Sequence, residues 1–206
     1  MARKPSCAQK ALAEPVTISP YDPEWPRLFA AESAQLRACL PPALVGRIEH
    51  FGSTAVPGLA AKPVVDMLVE VPSLEVVQTV IAPILTARGY EYFWRPSWQN
   101  PDRPEYAWFI KRDAGGKRTH HIHMLEPQSS EWERVLFRDY LIAHPELAEE
   151  YGALKTRIAQ AFPNDRIGYA KAKTEFITRV TAAARSSADT HRSEAKSPHP
   201  KRHQPP

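Results

Sequence analysis

The sequence predicts a mixed α/β fold in which a β-sheet is flanked by helices and covered by a C-terminal helical layer. The first observation is that residues 45–126 hold several short apolar and β-branched runs separated by Gly and Pro, as is typical of strands. The second is that apolar residues recur at helical spacing after Pro127. Strands grouped before helices indicate an α+β arrangement. A length of 206 residues and a hydrophobic content of 43% suit one soluble domain.

The elements follow from local start and stop signals. A first helix is predicted to start after Asp22, which suits its N-cap, and to end at Pro41-Pro42. A crossover helix is predicted over 73–88, capped by Ser73, and Pro83 predicts a kink or an early break in it. The predicted strands cover residues 45–51, 63–71, 90–94, 106–112 and 118–126. The predicted C-terminal helices cover residues 131–143, 146–162 and 165–185.

The two ends of the chain differ from its middle in charge and composition. The net charge of +4 comes from residues 1–15 and 186–206, because residues 16–185 carry 20 basic and 20 acidic side chains. We therefore expect one folded domain over 15–185, a disordered leader over 1–14 and a disordered basic tail over 186–206. A folded part without net charge disfavours nucleic-acid binding, apart from weak contacts of the tail.

The sequence shows no signal for a membrane or for export. No apolar run reaches the roughly 18 residues that a membrane helix needs, and the polar N-terminus lacks the apolar core of a signal peptide. The two cysteines, Cys7 and Cys39, fit neither a disulfide framework nor a zinc cluster. We therefore expect a cytoplasmic protein that makes no membrane contact.

The segment 50–69 carries the strongest candidate site. A predicted strand ends in the turn Gly52-Ser53-Thr54, and a loop with Lys62 leads into a second strand that carries Asp66. Glycine lets the backbone approach a phosphate closely, and exposed N–H groups and hydroxyls can hold that phosphate; a plain turn with a helix cap is the alternative. A carboxylate on an apolar strand is costly to bury without partners. We therefore interpret Asp66 as a functional residue that can hold a divalent cation beside phosphates.

A histidine-rich strand follows at Arg118-Thr119-His120-His121-Ile122-His123. Alternation places His121 and His123 on one face of the strand and His120 on the other. Beside Asp66, the first two could ligate a metal, act as general bases or donate to phosphate; ordinary core histidines are the alternative. Lys62 and Arg118 flank this predicted site and would neutralise phosphate charge there. The alternative is that both are ordinary solvent-exposed side chains.

The spacing of the first segment resembles the signature of polymerase-β-like nucleotidyltransferases. That signature is a Gly-Ser turn followed about a dozen residues later by Asp-x-Asp or Asp-x-Glu, and Asp66 lies 13 residues after Ser53. The second carboxylate is missing, because Leu68 stands at its position. Glu70 lies on the same strand face but is one strand repeat too far along to replace it.

Together, the two motifs resemble those of the GrpB-like family over about residues 16–183. The resemblance rests on the segment 50–63 with Asp66 on the following strand, and on the motif 118–123. Matching C-terminal positions are Phe137, Arg138, Tyr151, Lys155, Tyr169, Lys173, Phe176 and Ile177. The resemblance implies a nucleotidyltransferase-like sheet and a helical layer whose Lys155 and Lys173 close the pocket. Because the domain is joined to a dephospho-CoA kinase in some bacteria, it also implies an association with such a kinase.

Two functions are consistent with these motifs. In the first, the protein transfers a nucleotidyl group to an unknown small acceptor with the help of Mg²⁺ or Mn²⁺. Asp66, His121 and His123 would then hold the metal and act in catalysis, and the residues that would bind phosphate are Gly52, Ser53, Thr54, Lys62, Arg118 and Lys173. In the second, the protein is a non-catalytic module that binds a nucleotide or another phosphorylated small molecule for a partner enzyme, for example in coenzyme A biosynthesis. Leu68 favours the second function, and Asp66 with the paired histidines favours the first.

Overall fold

The computed structural model describes residues 14–96 and 104–196. Its strands are β1 (Ile48–Phe51), β2 (Val65–Glu70), β3 (Glu91–Pro96), β4 (Pro104–Arg112) and β5 (Arg118–Leu125). Its helices are α1 (Trp25–Cys39), α2 (Leu74–Val76), α3 (Ala82–Thr86), α4 (Arg134–Ala143), α5 (Pro145–Ala161), α6 (Arg166–Lys171) and α7 (Thr174–Lys196). No helix within these two ranges is long and apolar enough to cross a bilayer.

The five strands form one mixed sheet in the order β1-β2-β5-β4-β3. β2 and β5 run parallel, and every other neighbouring pair is antiparallel. The crossover that a parallel pair needs is supplied by α2, α3 and the β3–β4 hairpin. The register places Asp66 beside His121 and Leu68 beside His123. The mixed α/β fold predicted from the sequence is confirmed, and the two candidate motifs lie on adjacent central strands.

The two faces of the sheet are covered by different layers. On one face, inward side chains of β2 and β5 such as Met67 and Ile122 pack with Leu36 of α1 and Ile81 beside α3 in the main core. The other face carries Asp66 and lies under the C-terminal helices. Those helices have a core of their own, formed by Val56, Leu59, Leu141, Ala148, Tyr151, Phe176 and Val180. The predicted C-terminal helical layer is therefore present, and it lies over the face of the sheet that holds the candidate site.

The crossover helix shows the predicted effect of its proline. Ser73 caps it as expected, since its hydroxyl oxygen accepts a hydrogen bond from the Val76 N–H at 3.2 Å. A π-helical turn, Val77–Ile81, then separates α2 from α3. Pro83 has no N–H to give to the carbonyl one turn earlier, so the helical hydrogen-bond pattern changes just before it.

The end of the chain differs from the prediction. Coil was expected from residue 186, but α7 continues through Lys196. Its hydroxyl side chains support the extra turns, because Ser186 donates to the Ala182 carbonyl at 3.2 Å and Thr190 donates to the Ser186 carbonyl at 2.9 Å. The helix predicted over 165–185 is in fact two helices, α6 and α7. The rest of the predicted tail, 197–206, and most of the predicted leader, 1–13, lie outside the described residues.

Candidate functional site

The turn after β1 brings the backbone against Asp66. Phe51, the last residue of β1, pairs with Asp66 in the sheet, and Ser53–Ala55 forms a single 3₁₀ turn. Gly52 between them has φ 72°, in the region that favours glycine. A Cβ atom at Gly52 would lie 2.7 Å from Oδ2 of Asp66. Glycine is therefore required here both for its backbone conformation and for the close approach of the turn to the carboxylate.

Asp66 is ionised at neutral pH. Burial favours its neutral form, but the hydrogen bond from His121 and the positive charge around it outweigh burial and hold its pKa at about 2. Lys62 is among the groups that favour the charged form. The Asp66 side chain is 28% exposed, so an ionised carboxylate faces the space beside the turn.

His121 lies behind Asp66, with a hydrogen-bond partner for each ring nitrogen. Its Nδ1 is 3.1 Å from Oδ1 of Asp66, and its Nε2 is 3.3 Å from Nη1 of Arg118. Because a guanidinium only donates, Nε2 must accept, and the ring proton therefore lies on Nδ1 and is donated to Asp66. Burial lowers the pKa of His121, which keeps the ring neutral. His121 therefore orients the carboxylate, and its ring also packs against Trp108.

His123 lies at the surface of the cavity in front of Asp66. Its ring is held by the aromatic rings of Phe51 and Tyr106, whose centroids are 5.2 Å and 4.8 Å away. Candidate ligand atoms of Asp66, His121 and His123 all lie within 4.8 Å of one another. A cation could reach Asp66 and His123 from the cavity, whereas His121 would first have to give up one of its two hydrogen bonds.

Three lysines line the same cavity and share two tyrosines. Nζ of Lys155 donates to the Ala60 carbonyl and lies 4.8 Å from the centre of the Tyr151 ring. Nζ of Lys62 and of Lys173 lie 5.6 Å and 4.5 Å from the centre of the Tyr169 ring. Cations over aromatic faces at these distances are stabilised by the ring quadrupole. The rings thus help to hold several like charges close together.

Crowding and burial make these lysines weak bases. Burial, with repulsion from Lys173 and Lys62, lowers the pKa of Lys155 to about 7. Burial, with repulsion from Lys62, lowers the pKa of Lys173 to about 8. Burial also lowers the pKa of Lys62. Burial and like charge both disfavour the protonated form, and the attraction of a bound anion would offset these costs and favour it.

The cavity itself has a volume of about 540 Å³, which suits a small-molecule ligand. Gly52, Ser53, Thr54 and Asp66 form one wall, with Lys62 from the loop before β2. The other wall has Tyr151 and Lys155 from α5, Tyr169 from α6, and Lys173 from the turn between α6 and α7. Thr54 is buried, and its Oγ1 is 3.0 Å from Nε2 of His50. Ser130–Glu133 and Arg134 close the remaining side.

The residues predicted from the sequence are divided between this cavity and its surroundings. Those that line the cavity are Gly52, Ser53, Thr54, Lys62, Asp66, His123 and Lys173. His121 stands behind it. Arg118, expected to bind phosphate here, instead lines a smaller neighbouring cavity and pairs through Nε with the Glu14 carboxylate at 2.7 Å. Arg118 is buried, and its charge is balanced by an ion pair with Glu14 instead of by a ligand in the first cavity. Glu14 is far from Arg118 in the sequence, so this pairing was not predicted.

The sequence prediction missed the tyrosines as partners of the lysines. A signal for them exists, because Tyr151–Lys155 and Tyr169–Lys173 repeat one spacing of four residues, within α5 and from α6 into the turn that follows it. That spacing puts each pair on one helix face. A buried tyrosine with a lysine over its ring, found twice, indicates a shared cavity better than either residue alone.

Comparison with known proteins gives consistent matches. Residues 15–183 match the family described as GrpB protein. A UPF0157 protein of Pseudomonas aeruginosa is 41% identical over 172 residues, which are 82% of this chain and 67% of that protein. A dephospho-CoA kinase of Mycobacterium tuberculosis is 29% identical over 191 residues, and the match spans only 46% of its length.

A solved structure agrees with both the fold and the family. The crystal structure of the conserved protein GrpB from Enterococcus faecalis is 33% identical and superimposes with a TM-score of 0.72. The match covers 84% of this chain and 99% of that one. The sequence match and this superposition cover the same folded core, and the chain therefore belongs to the GrpB family.

Proposed function

We propose that the cavity binds the phosphate groups of a nucleotide or of another phosphorylated small molecule, beside a divalent cation at Asp66 and His123. One observation carries the proposal: Lys62, Lys155 and Lys173 converge on a cavity in which Asp66, held by the neutral His121, is the one acidic side chain of the lining that pairs with no arginine among the described residues. The other acidic residues of the cavity wall have partners of their own. Glu131 pairs with Arg134, and Glu133 pairs with Arg185.

The three lysines have no carboxylate partner within ion-pair distance among residues 14–96 and 104–196. Charged groups that are buried without a counter-ion are costly, so a structural role alone does not account for them. A phosphate chain offers several negative oxygens, and lysines bind such oxygens as point charges. The Ser53 hydroxyl and the amides of the Gly52 turn add donors beside Asp66.

Asp66 and His123 are a suitable donor set for a divalent cation. One carboxylate and one imidazole suit Mn²⁺ or Zn²⁺ better than Mg²⁺, since imidazole prefers the softer cations. A bound cation would neutralise charge on the phosphate oxygens. The ionised state of Asp66 and its orientation by His121 prepare the carboxylate for this role.

For the reaction, we propose transfer of a nucleotidyl group to a small acceptor. The lysines would hold the phosphates, and Lys62, next to Asp66, would stabilise charge that develops during transfer. Lys155 has a pKa of about 7, so at neutral pH it can either accept or donate a proton in the cavity. These residues therefore provide binding, charge stabilisation and a proton-transfer group within one cavity.

A second candidate function is favoured by Leu68. This residue is fully buried at the position where a nucleotidyltransferase signature has its second carboxylate. The protein would then bind a phosphorylated molecule without converting it, on behalf of a partner. The similarity to a dephospho-CoA kinase makes a coenzyme A precursor one such molecule and a kinase of that type one such partner.

A thermal-shift panel tests the proposal and separates the candidates. The four ribonucleoside triphosphates and dephospho-coenzyme A would be added with MnCl₂ or MgCl₂; a true ligand at about 100 times its Kd adds about 2.7 kcal/mol of stability. We expect Lys155→Met to abolish the shift and Lys171→Met, on the exposed side of α6, to leave it unchanged. Release of pyrophosphate in the presence of candidate acceptors indicates the enzyme, and binding without release indicates the module. The proposal fails if no compound stabilises the wild type, or if Lys155→Met responds equally.

A further inference from the structure

We propose that Arg112, Arg118 and Arg166 form a second anion-binding site, which Glu14 fills from within the chain and which binds a phosphate group of a small molecule when Glu14 leaves. The site lies beside the cavity described above and does not include it. The inference stands independently of the proposed function, because it rests on a different set of contacts.

One carboxylate is shared among three guanidinium groups. Oε1 of Glu14 is 2.7 Å from Nη1 of Arg112, and Oε2 is 2.7 Å from Nε of Arg118. Arg166 approaches the same oxygen with Nη2 at 3.9 Å and donates from Nε to the Glu14 backbone carbonyl at 2.9 Å. Several arginines converging on two oxygens is an arrangement that binds phosphate as readily as carboxylate.

Positive charge around this point exceeds what Glu14 balances. The neighbouring cavity, about 340 Å³ in volume, is lined by Lys62 and Lys117 in addition to Arg118, Arg166 and Glu14. Arg112 has a second partner in Glu91, at 3.0 Å. Burial lowers the pKa of Arg166, and repulsion from Arg118 lowers it further. A dianionic phosphate would compensate these cations better than one carboxylate can.

Glu14 can leave the site without unfolding any element. It lies outside every helix and strand, and the next anchor of the chain is Val16, which is buried and donates its N–H to the Pro163 carbonyl at 2.9 Å. The Glu14 side chain is itself 30% exposed. Rotation of this one side chain would therefore open Arg118 and Arg166 to a ligand in the 340 Å³ cavity, and would free the guanidinium group of Arg112 that now pairs with Glu14.

The second site is linked to the first by one shared residue, Lys62, and by the contact of Arg118 with His121. Lys62 lines both cavities. Arg118 also donates toward Nε2 of His121, whose other nitrogen holds Asp66. A phosphate that binds Arg118 would therefore lie next to the group that orients the Asp66 carboxylate, so that two phosphorylated groups could be held on either side of Lys62.

The test uses inorganic phosphate as the probe and a chain whose first cavity has lost two of its three lysines. In a Lys155→Met, Lys173→Met background, Glu14→Gln removes the internal anion, and Glu24→Gln, an exposed acid, is the control. By calorimetric titration we expect Glu14→Gln to bind phosphate about tenfold more tightly than its background, as is reasonable for removing a competing charged hydrogen-bond partner. Glu24→Gln should leave the affinity unchanged. Adding Arg166→Gln to the Glu14→Gln chain should abolish the gain.

Two results would overturn the proposal. One is a Glu14→Gln chain that binds phosphate no better than its background. The other is a gain that survives Arg166→Gln. If Glu14→Gln unfolds without phosphate, recovery of the folded state by millimolar phosphate supports the site, and failure to recover marks Glu14 as a structural ion-pair partner only. Because Lys155 and Lys173 are absent from every chain compared, and the expected gain depends on Glu14 and Arg166, these outcomes do not depend on whether the first cavity binds nucleotides.

Discussion

Glu32, which is buried, and Asp66, which is partly buried, lie on opposite faces of the same sheet, and the groups around the two carboxylates differ. Glu32 of α1 is 2% exposed, and both of its oxygens have partners: the Tyr90 hydroxyl donates to one at 2.5 Å, and Nζ of Lys111 donates to the other. Asp66 is 28% exposed, is held by His121, and faces a cavity with three lysines. Glu32 is neutralised within the fold, whereas the charges around Asp66 are not balanced within the fold.

The comparison teaches that a carboxylate on a buried element does not by itself indicate a functional site. What distinguishes Asp66 is an adjacent cavity and neighbouring cations that have no carboxylate partner among the described residues. Folding energetics explain Glu32 completely, since a buried charge with a counter-ion and a hydrogen bond is satisfied. The group around Asp66 is better explained by a ligand that carries negative charge.

The largest expected effect is on stability, and it should separate the two carboxylates. Glu32→Gln leaves Lys111 without its counter-ion and weakens the Tyr90 hydrogen bond, so we expect a loss of about 2 kcal/mol in the free energy of unfolding. Asp66→Asn keeps the shape but removes a charge that the fold stabilises, since the pKa of Asp66 is lowered to about 2, so we expect a smaller loss of about 1 kcal/mol. Urea denaturation of both variants measures the difference. Equal destabilisation by the two substitutions would contradict the distinction between them.

The second effect is on ligand affinity. Each lysine offers a charge-assisted contact, so Lys155→Met with Lys173→Met should weaken binding of a triphosphate by about 100-fold. The same double variant should unfold at a higher temperature than the wild type in the absence of ligand, because it removes two desolvated charges. Calorimetry and a thermal melt measure the two quantities, with Lys171→Met as the matched control. Lost stability together with unchanged affinity would show that the lysines are structural.

The third effect distinguishes the two histidines. His123→Ala removes a candidate ligand from the cavity surface, and we expect Mn²⁺ affinity to fall about tenfold. His121→Asn retains a donor toward Asp66, so the fall should be about threefold. Manganese titration of both variants tests this order. A larger loss in His121→Asn would return His121 to the role of a direct ligand.

The smallest effect concerns pH. The lowered pKa values of Lys155 and Lys173, about 7 and about 8, mean that both lose their charge as the pH rises through this range. Each of these two charges contributes about tenfold to anion affinity, so affinity should fall by about fivefold between pH 7.0 and pH 8.0, with proton uptake on binding. Titrations in two buffers of different ionisation enthalpy detect the proton. Affinity that rises with pH would contradict the assigned lysines.

Much of the fold could be predicted from the sequence because its signals are local. The five strands, the Ser73 cap and the effect of Pro83 all follow from nearest-neighbour chemistry. The position of Asp66 beside the histidine strand could also be predicted from the sequence, since two apolar strands joined by a crossover tend to be neighbours in a sheet.

The remaining features depend on contacts between distant parts of the chain. Alternation places His121 and His123 on one face, but Arg118 and Trp108, from β5 and β4, decide which of them reaches the cavity. Glu14 was assigned to a polar leader because its partners are 98 residues or more away in the sequence. The extra turns of α7 were missed because hydroxyl residues in a polar segment resemble coil, although their side chains can bond the preceding helical carbonyls.

The central claim is that a cation at Asp66 and phosphates at the lysines share one cavity, and their energetic coupling tests it most directly. Calorimetric titration of a nucleoside triphosphate identified in the ligand panel would be carried out with and without MnCl₂, in the wild type and in Asp66→Asn. We expect Mn²⁺ to tighten binding by about tenfold or more in the wild type and to have no effect in Asp66→Asn. We also expect metal-free binding to be at least as tight in Asp66→Asn, because a negative charge has been removed beside the phosphates. Equal enhancement by Mn²⁺ in both proteins would contradict the account.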